Sequence, residues 1–158
     1  SWLAPPDPAP TGPTDALEFG DFMAQVGVML MGRTTHDTVA GFGAWPYGEM
    51  PVLVATRRPL QPAAQTVEAV QGDIGVLLDQ AAQIAGDKDI YLDGGDLVRQ
   101  ALDAGLVDEL VLTWVPIVLG AGVSLFEGLA RQDFEFVGQA RYHNMMQVTL
   151  RPEGPAQT

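Results

Sequence analysis

Two turns in the sequence join a buried strand directly to a helix through glycine. The first is MLMGRTT at residues 29–35, and the second is YLDGGDL at residues 91–97. The start of a helix presents free backbone N–H groups and a partial positive charge, so it attracts phosphate. Glycine has no Cβ atom and lets a ligand come close. Either turn alone also suits an ordinary tight turn, but together they predict a clasp for the two phosphates of a dinucleotide.

Charged and hydroxyl side chains accompany these turns. Arg33 can add a formal charge to the first turn and Thr35 a hydroxyl donor. Thr56, Arg57 and Arg58 follow an apolar segment, and their two guanidiniums could receive the 2′-phosphate that distinguishes NADPH from NADH. The alternative is that these arginines line a solvent-exposed turn. The chain contains neither a GxGxxG fingerprint nor a GxxxxGK[ST] loop.

Composition excludes several classes of protein. The 158 residues include no cysteine, which excludes disulfides and thiolate chemistry, and the net charge of −12 repels nucleic acid. No apolar run reaches the roughly 18–20 residues of a membrane span. We therefore expect a soluble cytoplasmic protein with no nucleic-acid or membrane partner. His36 and His143 have no metal-ligand partner at useful spacing, so we predict surface imidazoles and no metal site.

Hydrophobic periods and turn signals predict the elements that position these residues. Strands are expected at 28–31, 52–55, 67–70, 90–92, 109–115, 134–137 and 145–150, and helices at 15–25, 34–39, 74–85 and 95–104. Alternating strands and helices favour an α/β fold with a mostly parallel sheet, helices on both faces and an antiparallel edge at the C-terminal end. We expect one domain over residues 1–151, opening with a proline-rich arm, and a tail over residues 152–158.

Several local details of these elements can be tested against a structure. Thr34 or Thr35 is the expected cap of the second helix, and Thr14 or Asp15 that of the first. The third helix is expected to begin after Asp73 and to stop at Gly86. Its apolar side is predicted to contain Val76, Leu77, Ala81 and Ile84. The mostly apolar segment 109–115 is typical of a central strand.

Residues 88–128 are similar to the RibD C-terminal family, the reductase domain of riboflavin biosynthesis. The shared pattern is a strand into GG, a helix, LVDEL, a strand, proline and LGxGxxLF. The segment MGRTTHDTV resembles the MGRxT segment of dihydrofolate reductases, and the resemblance covers most of residues 26–128. It implies a dihydrofolate-reductase-like three-layer α/β/α fold with NADPH as hydride donor.

The resemblance also assigns residues to sites. The implied cofactor-binding residues are Gly32, Arg33, Thr34, Thr35, Thr56, Arg57, Arg58, Asp93, Gly94, Gly95, Asp96 and Leu97. Trp45 and Glu127 are candidates for the substrate pocket, although Trp45 could equally cover the core. Relatives open with a strand ending in a Ser-Leu-Asp-Gly-like segment, and the printed sequence starts after that point, so we expect part of the pocket to be undefined. No residue is assigned to catalysis.

These observations lead to one function and one principal alternative. We expect an NADPH-dependent oxidoreductase that transfers a hydride to a small heterocyclic or imine/carbonyl substrate. The absence of an HxE…PCxxC segment separates the sequence from the two-domain riboflavin enzyme and indicates a stand-alone relative. The alternative is a non-catalytic nucleotide- or pterin-binding module on the same fold. A homodimer is expected from the family, and a protein used only for dimeric assembly would bind no nucleotide.

Overall fold

Eleven helices and strands make up the part of the chain that the structure, a computed structural model, describes: residues 19–153. The helices are α1 (Phe19–Gln25), α2 (Arg33–Ala40), α3 (Ile74–Ala85) and α4 (Gly95–Asp103). The strands are β1 (Val26–Gly32), β2 (Val52–Ala55), β3 (Val67–Val70), β4 (Asp89–Asp93), β5 (Leu110–Trp114), β6 (Phe134–Tyr142) and β7 (Met145–Pro152). The expected start of α1 and the proline-rich arm lie outside the described residues.

Four strands form a parallel sheet in the order β3-β2-β1-β4. Gly32 pairs with Ala55, and Ala55 pairs with Val70, while Met31 pairs with Asp93. Because all four strands run the same way, their carboxyl ends meet at one edge of the sheet. The predicted parallel sheet flanked by helices is therefore confirmed.

The central strand β1 is buried on both of its faces. Val28, Met29, Leu30 and Met31 are each 0% exposed. Side chains buried on both faces explain why this segment is continuously apolar instead of alternating. Burial of each such side chain stabilises the fold by about 1.5–3 kcal/mol.

Helix α3 shows which of the predicted details were correct. Asp73 caps it, with one carboxylate oxygen accepting from the Val76 N–H at 3.0 Å, and Gly86 ends it with φ +62°, as predicted. The predicted apolar side is only partly right, because Val76 and Ile84 are 42% and 44% exposed. The buried residues of the helix are Ile74, Leu77, Ala81 and Ala85. Val76 lies about 100° around the axis from Leu77, outside that stripe.

The expected threonine cap of α2 is wrong. The helix begins at Arg33, directly after β1, and Gly32 occupies the cap position without any side-chain hydrogen bond. Glycine has no side chain, so the residue at the cap position has no capping oxygen to offer. The same holds for α4, whose cap residue is Gly94. The first N–H groups of both helices therefore have no side-chain cap.

The last three strands form a separate antiparallel sheet in the order β5-β7-β6. The predicted pair of late strands is confirmed, and both strands are longer than expected. The interpretation of residues 109–115 as a central strand is wrong, since β5 is an edge strand paired with β7 from Leu110–Leu150 to Trp114–Met146. Trp114 is 68% exposed. An apolar composition alone did not distinguish an edge strand from a central one.

The chain divides into two compact units. One consists of Gly20–Leu106 and Leu125–Leu129, and contains the parallel sheet. The other contains Val107–Ser124 and residues 130–153, with the antiparallel sheet. The single domain expected over residues 1–151 and the tail expected after it stay predictions. Within residues 19–153, none of the helices is long and apolar enough to cross a membrane.

We expect Gly27→Ala to destabilise the protein by about 1–3 kcal/mol, because a Cβ there has no room. An ideal Cβ at Gly27 would lie 2.7 Å from the carbonyl oxygen and 2.8 Å from the Cα of Ala85, both backbone atoms of α3. Urea unfolding measures the change. Gly20→Ala is the matched control, since a Cβ at Gly20 meets nothing within 4 Å. Equal stability of the two variants would contradict this account.

Candidate functional site

A cleft of about 420 Å³ lies at the carboxyl edge of the parallel sheet. Its size falls in the range of small-molecule sites in proteins, and open parallel sheets bind ligands at this edge. The residues that line it are Gly32, Arg33, Thr34, Thr35, Ala55, Thr56, Arg57, Val70, Gln71, Gly72, Leu77, Gly94, Gly95, Asp96, Leu97 and Gln100. The structure thus brings together ten of the twelve residues predicted to bind a cofactor and leaves Asp93 and Arg58 off the lining.

The two glycine turns are direct neighbours in this cleft. An ideal Cβ at Gly94 would lie 2.9 Å from the Thr35 hydroxyl oxygen and 3.5 Å from the Gly32 nitrogen. This closeness follows from the parallel pairing of β1 with β4, in which Met31 is opposite Asp93. The starts of α2 and α4, with their uncapped N–H groups, therefore face one shared space.

The two glycines are needed for different reasons. Gly94 has φ +99°, in the region that side chains rarely adopt, so its backbone requires glycine. Gly32 has φ −75°, and a Cβ there would meet nothing within 4 Å. Neither conformation nor packing explains glycine at position 32. A ligand that approaches the α2 start closely would explain it.

The third predicted segment forms a braced turn beside the cleft. The Thr56 hydroxyl oxygen accepts from the Arg58 N–H at 3.1 Å, and the Thr56 N–H donates to the Val70 carbonyl at 3.0 Å. Thr56 is only 9% exposed. Arg57 lines the cleft, whereas Arg58 does not.

The cleft also contains a carboxylate at the start of α4. Asp96 accepts from the Gln100 amide at 2.8 Å and lies 3.8 Å from the Arg99 guanidinium. An acidic residue in the first turn stabilises a helix. Its 79% exposed side chain leaves the charge well solvated.

Sequence reasoning missed six residues of the cleft lining. They are Ala55, Val70, Gln71, Gly72, Leu77 and Gln100. The signal for the first four was present, because the parallel strands predicted at 52–55 and 67–70 must end at the same edge. Leu77 and Gln100 come from helices whose rotation about their axes the sequence did not fix.

Asp93 lies on the strand and not on the cleft lining. Burial raises the pKa of its carboxyl, although a hydrogen bond from the Gly94 N–H works in the opposite direction. Burial also raises the pKa of Tyr47, and the nearby Asp93 carboxylate raises it further. The pKa of Tyr91 is raised by burial first and by Asp93 second. Asp93 and the two tyrosines thus share one electrostatic environment.

The two predicted substrate-pocket residues lie elsewhere. Trp45 packs against the cluster formed by Met29, Met31, Val52, Val54 and Val67. Its ring meets that of Tyr47 edge to face at 5.1 Å and tilts against His36 at 5.8 Å. Glu127 is exposed, and neither residue lines the cleft. A role for Trp45 and Glu127 in substrate binding stays a prediction.

The expectation of a surface imidazole at His36 is wrong. His36 is 2% exposed, and its Nδ1 lies 3.0 Å from an Asp37 carboxylate oxygen. The side chain is buried because position 36, with Val39, forms the inward side of α2. Its Nε2 atom has no hydrogen-bond partner within the described part of the chain.

We expect Asp93→Asn to stabilise the protein at pH 7. The raised pKa means that the folded protein holds this carboxylate less favourably than the unfolded chain does. The gain should shrink as the pH falls through the raised pKa and disappear below the ordinary value of about 3.9, where the carboxyl is protonated in both the folded and the unfolded state. Urea unfolding of both proteins across this pH range measures it. Asp89→Asn, an exposed site on the same strand, is the control; lower stability of Asp93→Asn at pH 7 would refute the account.

Comparison with known proteins agrees with this architecture. A family model, the RibD C-terminal domain, matches residues 4–148. The uncharacterized protein YwjB of Bacillus subtilis (strain 168) is 25% identical over 115 residues, which cover 72% of this chain but only 66% of that protein, just under two thirds of its length.

Solved structures share the fold. A candidate riboflavin biosynthesis protein from Shewanella sp. PV-4 is 29% identical with a TM-score of 0.77, over 97% of this chain and 87% of that one. The Thermotoga maritima diaminohydroxyphosphoribosylaminopyrimidine deaminase/5-amino-6-(5-phosphoribosylamino)uracil reductase is 15% identical with a TM-score of 0.59, over 84% of this chain and 48% of that one. This chain spans about half of that two-activity protein. The predicted dihydrofolate-reductase-like fold is confirmed, and the chain belongs to the RibD C-terminal domain family.

Proposed function

We propose that the chain is an NADPH-dependent reductase that transfers a hydride to a small heterocyclic or imine/carbonyl substrate. One observation carries the proposal: two uncapped helix starts lie side by side in one cleft, at Gly32 and Gly94. Such an arrangement suits a diphosphate, because each start offers several N–H donors and a partial positive charge. The family and the reductase named in the Thermotoga maritima relative support the same assignment.

The residues present fit a dinucleotide. A Cβ at position 32 would point into open space, which leaves room for a phosphate against the backbone. The Thr35 hydroxyl lies beside both turns, and Arg57 adds a cation at the neighbouring strand end. In this proposal the backbone N–H groups at the starts of α2 and α4 and the Thr35 hydroxyl hold the diphosphate, and Thr56 and Arg57 contact the 2′-phosphate. The bound nicotinamide would supply the hydride.

The chain's own contribution to the reaction is alignment. Hydride transfer requires the donor and acceptor carbons to be held close in a fixed geometry, which rigid elements achieve better than loops. The helix starts are fixed by β1 and β4, whose residues are buried or half-buried except for Asp89 at the start of β4. No side chain is assigned here as the proton donor.

Partners and location follow the sequence-based expectations and stay predictions. These are a small-molecule substrate, a cytoplasmic location and a homodimer. Trp114, Phe136 and Met146 lie on one face of the antiparallel sheet and are 68%, 77% and 53% exposed. Val148 on the same face is buried, and the exposed apolar side chains around it are compatible with pairing of two copies.

We expect Gly32→Ala to weaken the binding of NADPH and NADH alike, by about tenfold or more, because the added methyl group keeps the phosphate from the α2 backbone. Titration followed by nicotinamide fluorescence measures both dissociation constants. Stability should not fall, since alanine adopts this backbone freely and restricts the unfolded chain. Gly20→Ala, with an equally open Cβ outside the cleft, is the control. Unchanged affinity in Gly32→Ala would refute the diphosphate site.

We expect NADPH to be consumed when the protein is given a suitable member of a panel of dihydropterins, pyrimidinones and cyclic imines. The decrease in NADPH absorbance measures turnover, and Gly32→Ala should reduce it in proportion to its lost affinity. Tight NADPH binding with no turnover across the panel would contradict the reductase assignment and favour a non-catalytic nucleotide-binding module on the same fold.

A further inference from the structure

Arg33 is the one arginine in the cleft whose guanidinium is held by two other parts of the chain. Its Nε donates to both Asp37 carboxylate oxygens, at 2.7 and 2.9 Å, and its Nη1 donates to the Pro59 carbonyl at 2.9 Å. The side chain is 23% exposed. Three charge-assisted hydrogen bonds of this length fix a guanidinium in place.

The Pro59 contact reaches a different element. Pro59 lies 26 residues along the chain from Arg33 and closes the turn that begins at Thr56 after β2. The other end of that turn is fixed by the Thr56 N–H, which donates to Val70, and by the Thr56 hydroxyl, which accepts from the Arg58 N–H. Arg33 thus supplies the brace at the far end of the turn. Arg57 lies between the two fixed ends.

The electrostatics of the two arginines differ. Hydrogen bonds from His36 and then from Arg33 lower the pKa of the Asp37 carboxyl from its ordinary value, so this side chain carries a negative charge at neutral pH. Its charge therefore offsets that of Arg33 locally. Between residues 19 and 153 the structure records no ion pair for Arg57. Arg57 is therefore the cleft arginine whose charge is not offset by a neighbouring carboxylate.

We propose that Arg33 is a positioning residue: tied to Asp37 and to the Pro59 carbonyl, it holds the Thr56–Pro59 turn so that Arg57 stands in the cleft as the cation that selects the 2′-phosphate of NADPH. This role rests on the proposed use of NADPH. It differs from direct contact of Arg33 with the cofactor phosphates, which the family resemblance implies. The two roles give opposite results when Asp37 is removed.

The test measures dissociation constants for NADPH and NADH in four variants and takes their ratio as the readout. The ratio measured for Arg57→Gln is the reference for complete loss of preference for NADPH. In Asp37→Ala and in Arg33→Lys, the positioning role predicts that this preference falls by about tenfold while NADH binding stays the same, because a displaced guanidinium loses its charge-assisted hydrogen bonds. Asp87→Ala is the control: it removes an exposed carboxylate just before β4, at the opposite edge of the sheet, and should change neither constant.

If Arg33 instead binds a phosphate directly, Asp37→Ala should bind NADPH as tightly as the wild type or more tightly, because loss of the carboxylate makes the cleft more positive. Unchanged or tighter NADPH binding by that variant would overturn the positioning role and leave the proposed function intact. A wild-type chain that binds neither nucleotide would instead overturn the proposed function, and this role with it. Thermal unfolding of each variant shows whether it is folded. If Asp37→Ala does not fold because His36 loses its partner, Arg33→Lys provides the test of the positioning role. A lysine keeps the charge at position 33 but cannot make both contacts, so the preference for NADPH should still fall.

Discussion

The parallel pairing of β1 with β4 is the constraint on which the candidate site depends. It places Met31 opposite Asp93, so both strands end at the same level and both following helices begin in the same space. A shift of one residue in this register would exchange the side chains between the two buried faces of β1 and disrupt the packing of both. The core therefore fixes the register, and the register fixes the distance between the two glycine turns. The position of the site is a consequence of how the apolar residues pack.

A net charge of −12 repels anions at long range, but the local arrangement of charges determines whether the cleft can bind one. At physiological salt, exposed charges more than about 8 Å apart are largely screened. Two helix starts act at hydrogen-bond distance and so outweigh distant carboxylates. The carboxylate on the cleft lining, Asp96, is largely solvated and contacts Gln100 and Arg99. The positive charge of the cleft therefore depends on Arg57, since Asp37 offsets the charge of Arg33.

Local patterns in the sequence predicted the parallel strands, the late hairpin and the Asp73 cap, because each of these depends on neighbouring residues. Apart from the α2 cap and the apolar side of α3, the errors concern contacts between distant segments. The sequence around His36 predicts a surface histidine, but residues 41–51, which connect α2 to β2, bring Trp45 against it. The hydrogen bond from Arg33 to the Pro59 carbonyl joins positions 26 residues apart, and no periodic pattern in the sequence predicts it. The apolar composition of β5 favours a central strand, but composition does not show how many strands pair with it.

Affinity and nucleotide choice are carried by separate structures in the proposed assignment. Backbone N–H groups at the helix starts meet phosphates that NADH and NADPH share, so they cannot distinguish the two. A guanidinium beside the 2′-position acts on NADPH alone, and it resides on a turn between β2 and β3. Turns at a sheet edge tolerate substitution far better than buried strands do. Coenzyme preference in this fold can therefore change through the residues that brace or form the Thr56–Pro59 turn, while the buried register that creates the diphosphate cleft stays the same.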